Sequence, residues 1–296
     1  VLHRRLADAA VRGNLAVIDD LLGRPHYDPE WPGLAGVLMK LADGGSAAAL
    51  ARLVDSGVPF DERDERGRTA LHAASASGSA DCVALLVKHG AELDSPDGLG
   101  RTPLLLASRA GSGAAVGLLL GAGAAADQTD QNGRNALWWA LKSSHGELAM
   151  QLLEFGVPAL ADNEGMGPLH LAAAADLPDV VERLLPSLQV DEPTQDGNSA
   201  LLLAARAGAL DAAGVLVENG AAVGYRNPLG DTALIIAARS DRLEVARLLL
   251  EAGANQNSRN ERFESAASIV AERKDPQWLS LLAEHRRGVL DLLGAR

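Results

Sequence analysis

Three groups of residues in this sequence have the types and spacing that chemistry needs. The first is GSGAAVG, beginning at Gly111, which has the composition of a loop that wraps phosphate with backbone N–H groups. The second is a set of seven histidines with the lone Cys82, candidates for metal ligation or nucleophilic attack. The third is a series of bases: Arg68, Arg101 and Arg134 in one phase, and Arg109, Lys142, Arg206 and Arg239 in another. By charge, these could hold an anionic partner.

The second group finds little support. His3, His26, His89 and His285 have no second His or Cys at ligand spacing. Cys82 lies beside Val83, Leu85 and Leu86 in the buried phase of an apolar run, which suits a small packed hydrophobe better than a reactive thiol. One cysteine excludes an internal disulfide and a zinc cluster of the multi-cysteine kind, and it fits a reducing compartment, so the cytoplasm is expected. HExxH, a Walker loop, a nucleophile elbow and the kinase signatures are all missing. The expectation is a chain without catalysis and without a bound cofactor or metal.

The elements that position these residues repeat. GRTALHAA begins at Gly67, GRTPLLLA at Gly100, GRNALWWA at Gly133, GMGPLHLA at Gly165, GNSALLLA at Gly197 and GDTALIIA at Gly230. The third position of each tract falls at Thr69, Thr102, Asn135, Gly167, Ser199 and Thr232, spacings of 33, 33, 32, 32 and 33 residues. One step further reaches Ser265, and steps back reach Gly36 and Arg4, so nine units fill the chain. Thr, Ser or Asn can cap a helix N-terminus, and Pro103 or Pro168 suits the first turn. A Gly then interrupts the helix, as at Gly78, Gly111 and Gly208, and a second apolar helix follows. Another Gly closes that helix, as at Gly57, Gly90, Gly123, Gly156, Gly220 and Gly253, where a left-handed residue is expected.

In this register GSGAAVG follows a helix and not a strand, which removes the phosphate-loop reading. The uncharged run over 110–126 becomes two short helices broken at Gly111 to Gly113, too short to span a bilayer.

The unit of loop, helix, turn and helix resembles the ankyrin repeat, with TALHAA and GPLHLA its nearest matches to that family's TPLHxA core. The resemblance covers essentially the whole chain. It implies an all-α solenoid of stacked helix pairs, hairpin-like loops to one side and first helices lining a concave face. The domain expected is single, 1–296, with an N-terminal capping unit over 1–33, internal repeats over 34–261 and a C-terminal capping unit over 262–296. It also implies that His72 and His170, in the TPLH slot, hydrogen-bond between neighbouring units.

The family's geometry turns both phases of bases toward the concave side: Arg68, Arg101 and Arg134 just before the Thr slot, and Arg109, Lys142, Arg206 and Arg239 seven residues after it. The helix macrodipole accounts for bases at the end of a helix, and for the acids Asp81, Glu147, Asp179, Asp211 and Glu244 that open the second helix. It does not account for bases ahead of an N-terminus. The expected site is therefore a basic stripe, with Trp138 as a further candidate. Trp138 has two readings, a hydrogen bond across units in place of the His, or a ring shown on the concave face. Trp139 is expected to pack between units. Tyr27 and Trp31, in an aberrant loop, could pack on the first units or serve a partner, and packing is expected. Pro186 is expected to end its helix early and to mark a weak joint.

Composition bounds the partner. The net charge of −12 opposes nucleic acid and anionic membrane surfaces. Apolar residues make up 47% and aromatics 3%, the composition of tightly packed Ala- and Leu-rich helices. Four Lys among 27 bases, with much Ala and Gly, point to a GC-rich coding sequence of the bacterial kind. Because the chain opens on Val1 and not Met, the lack of a leader carries no meaning. The expected function is capture of a protein or peptide, with an acidic segment, through the concave face and loop tips of a monomer. The alternatives are the recognition domain of a larger enzyme or secreted effector, and a self-associating structural module.

Overall fold

The computed structural model describes residues 2–31 and 33–294; Val1, Pro32, Ala295 and Arg296, which fall at the expected unit boundaries, lie outside the described residues. Among the described residues there are eighteen α-helices, one short 3-10 helix and no strand. The chain divides into two compact units, Val1–Leu160 and Ala161–Arg296.

Most helices have seven to nine residues, as in Ala70–Ala76, Pro103–Ala110 and Gly113–Gly121. Two turns of helix are too short to persist alone in water, where about 12–15 residues are marginal. They persist because first helices pack on first helices and second helices on second helices, inside each unit. The buried positions are small and regular: Ala74, Ala107 and Ala140 recur with Leu71, Leu104 and Leu137, all within 1% of full burial.

Local rules set the boundaries. Thr69, Thr102, Asn135, Ser199, Thr232 and Ser265 stand at helix N-caps in extended conformation. The Asn135, Thr232 and Ser265 side chains accept the backbone N–H three residues on. The register is different at the start of the chain. Gly36 lies inside the helix Gly33–Asp43 and Arg4 inside Leu2–Val11, so the helices extend back past both.

Gly111, in the former phosphate-loop candidate, holds φ 75° at a helix C-cap, and a Cβ there would fall 2.6 Å from the His145 ring. Its freedom from a side chain serves packing. Ser112 continues the turn, accepting the Ala115 N–H at 3.3 Å and donating to the Gly78 carbonyl at 2.9 Å.

Pro186 has the expected effect: the helix Pro178–Leu184 stops after seven residues and gives way to the 3-10 turn Leu185–Ser187. At the ends, Tyr27 bonds Ser56 at 2.7 Å and Trp31 stacks on His3 at 5.0 Å, so both pack. Trp278 is buried and donates to Asp241 at 2.8 Å. Among the described residues no helix is long and apolar enough to cross a membrane.

Candidate functional site

The loop between consecutive helix pairs is one five-residue turn used repeatedly. Its first residue is Asp64, Asp97 or Asp130 in the first unit, and Asp162, Asn227 or Asn260 in the second. In each, the side-chain oxygen Oδ1 accepts the backbone N–H groups two and four residues on. The first residue's own N–H donates to the carbonyl of the fifth. The Asx side chain thereby replaces the missing backbone partners of a tight turn.

In the first unit the fifth residue of this turn is Arg68, Arg101 or Arg134. Arg68 pairs with Asp64 at 2.8 Å and Arg101 with Asp97 at 2.7 Å. For Asp64 and Asp97, burial pushes the carboxyl up, but hydrogen bonds from the arginine side chain and from turn amides outweigh it and hold both below the usual range. Arg134 lies over Trp138, its guanidinium carbon 4.5 Å from the ring centroid. Arg68 and Arg101 are thus explained inside their own turns and Arg134 by the helix that follows it, so the macrodipole mismatch that singled them out has a local cause. The signal is present in the sequence as Asp and Arg four apart, three times at the repeat spacing.

Of the two readings of Trp138 the structure removes one. Trp138, in the His slot, is 4% exposed, so the reading that shows its ring on the surface is corrected. Trp139, expected to pack between units, is half-buried. Its Nε1–H donates to Asp130 Oδ2 at 3.2 Å, and the Arg109 guanidinium lies 5.5 Å from its centroid. The slot three residues into the helix faces inward, and the larger ring fills the volume that His72 takes elsewhere.

His72 Nδ1 accepts the Thr69 N–H at 3.1 Å, which leaves Nε2 to donate to the Arg101 carbonyl at 3.2 Å. His170 does the same between Gly167 and the Glu192 carbonyl, at 3.2 and 2.8 Å. Burial pushes both imidazoles below their ordinary pKa, so each is neutral and structural. Burial also pushes the Cys82 thiol up, away from thiolate chemistry. No cluster of three potential metal ligands occurs among the described residues.

The family model for ankyrin repeats matches the chain three times, over residues 6–130, 104–193 and 177–260. The chain belongs to the ankyrin-repeat family. Ankyrin repeats are in general protein–protein interaction modules, and the family is typically a non-enzymatic scaffold.

On this ankyrin-repeat protein the remaining bases differ in what holds them. Arg239 is paired with two carboxylates, with two bonds to Asp231 at 2.7 and 3.1 Å and one to Glu264 at 2.8 Å. Arg109 and Lys142 are exposed in the first unit and Arg206 in the second, and none of these three makes an ion pair among the described residues.

Proposed function

We propose that this ankyrin-repeat protein holds a second protein, and that in the first unit the contact is made by Arg109, Trp139 and Lys142. The carrying observation is the half-buried Trp139 ring, fixed by Asp130 and roofed by Arg109 at 5.5 Å, with Lys142 on the same helix face one turn on. An indole with its orientation already fixed loses little entropy on binding, and Trp and Arg are the side chains that carry most interface energy. Two bases without carboxylate partners, on a chain of net charge −12, ask for carboxylates from outside, so the segment held is acidic. On the second unit, taken by itself, Arg206 is an exposed base of the same kind. Arg68, Arg101, Arg134, Arg239 and Trp138 leave the contact set, because each is engaged within the fold.

The test is capture from a lysate of the source cell by the intact chain and by the variant Arg109→Glu, Lys142→Glu, with melting curves matched. Loss of one acidic protein from the variant's eluate supports the reading; an unchanged eluate contradicts it.

A further inference from the structure

Phe263 breaks the rule its neighbours obey. The corresponding positions of the other turns in this unit are Gly165, Gly197 and Gly230, at φ 75°, 72° and 74°, whereas Phe263 holds φ 61°. The register is firm: Gly230 N–H donates to the Asn227 carbonyl at 2.8 Å and Phe263 N–H to the Asn260 carbonyl at 3.0 Å. A Cβ in this conformation costs about 1–2 kcal/mol. The ring recovers nothing by packing, being 78% exposed. Strain that the fold does not use points to a ligand.

A second apolar tip stands beside it. Leu229 is 54% exposed, and its carbonyl accepts the Glu261 N–H at 3.0 Å, which sets the two turns side by side. Pro228, next in the chain, is also exposed. Arg226, Arg259 and Arg262 surround these tips in the sequence of the two turns, all exposed, and none makes an ion pair among the described residues. Arg226 Nη1 rests on the Arg259 carbonyl at 3.0 Å, which holds two of the three bases near each other.

We propose that these two turn tips dock into a second protein that presents an apolar cleft edged with carboxylates. Phe263 and Leu229 enter the cleft, and Arg226, Arg259 and Arg262 meet its rim. Protruding tips fit a cleft better than a flat surface, and exposed bases on an acidic chain select an anionic rim, Arg226 and Arg259 foremost, since Arg262 also lies in the field of Asp231 and Glu264. Two side chains are too few to anchor a bilayer, whose anionic surface the net charge of −12 repels. The proposal rests on the reading of this chain as a protein-holding module but uses none of the residues of the Arg109 face.

The experiment places the photoreactive residue p-benzoylphenylalanine at position 263 of the full chain, and in a separate sample at position 139. Both are irradiated in source-cell lysate and the crosslinked peptides sequenced by mass spectrometry. Competition against that capture then uses Phe263→Gly and the triple variant Arg226→Glu, Arg259→Glu, Arg262→Glu. The expected result is a crosslink from 263 to an apolar peptide flanked by Asp or Glu. Phe263→Gly should raise the melting temperature yet compete at least tenfold more weakly than the unsubstituted chain, and the triple variant should not compete. A purely structural residue would not raise stability and lose capture together. Crosslinks only to lipid, to a copy of this chain or to a peptide without carboxylates overturn the proposal, as does Phe263→Gly competing undiminished. Capture from 139 without capture from 263 sinks the turn-tip proposal alone. Capture from neither position sinks the protein-holding reading with it.

Discussion

The Asp97 carboxylate divides its two oxygens between the turn and Arg101: Oδ1 takes the Leu99 and Arg101 backbone N–H groups, each at 2.9 Å, and Oδ2 takes Arg101 Nε and Nη2 at 2.9 and 2.7 Å. One side chain therefore caps a turn and neutralises the base beside it. Asn227 and Asn260 perform the first task without a negative charge.

Replacing Asp97 by Asn should accordingly cost about 1–2 kcal/mol, because the amide oxygen still accepts both turn amides while the amide nitrogen cannot accept from Arg101. Asp97→Ala should cost about 2–3 kcal/mol, since two turn amides and the arginine lose their acceptor together. Urea melts of the three proteins check the order; equal losses for Asn and Ala would contradict it.

Two groups set the pH response. The folded-state pKa of His72 and His170 lies below the ordinary value of 6.5 because of burial, so just below pH 6.5 the unfolded chain binds more protons than the folded one. The histidine contribution is complete above that pH and declines as pH falls through it. Asp64, Asp97 and Asp231 have lowered pKa values: burial raises them, and hydrogen bonds, chiefly from Arg68, Arg101, Arg239 and the turn amides, more than reverse it. Their contribution persists above the ordinary carboxylate range and is lost as pH drops below it. Denaturation midpoints from pH 8 to pH 3, on the order of one point per half unit, should show two successive declines. In the variant His72→Leu, His170→Leu, which copies Leu105 and Leu202, the first decline should flatten.

Thr102 carries a buried hydroxyl without a hydrogen-bond partner, whereas the Thr69 hydroxyl lies 2.9 Å from His72 Nδ1. The difference is the residue three positions on, Leu105 against His72. Thr102→Val should therefore be neutral or stabilising by up to about 1 kcal/mol, and Thr69→Val destabilising by about 1 kcal/mol. Chemical denaturation of both variants measures it, and a loss at Thr102 equal to that at Thr69 would refute the assignment.

The helices and their limits were legible because the rules that make them are local. A cap at Thr69, a left-handed glycine at Gly111 and a proline that stops a helix at Pro186 each act within one turn of chain. What stayed hidden was where long side chains end. Arg101 and Arg109 look alike in a list of bases; one folds back onto Asp97 and the other lies over Trp139 toward solvent, a choice fixed by three-dimensional neighbours. Trp138 and Trp139 are one residue apart, and about 100° of helix rotation decides which is buried. The strain at Phe263 was readable as a missing glycine in the last turn, but only once the Asn260 turn was recognised as the same device.

The most direct test of which bases face the partner is the dissociation constant of the purified partner, measured by calorimetry against two double variants. Arg109→Glu, Lys142→Glu should weaken binding at least tenfold at an unchanged melting temperature, while Arg68→Ala, Arg101→Ala should lower the melting temperature and leave the affinity intact. Unaltered affinity in the first variant, with loss confined to the second, would contradict the assignment and return the site to the turn arginines.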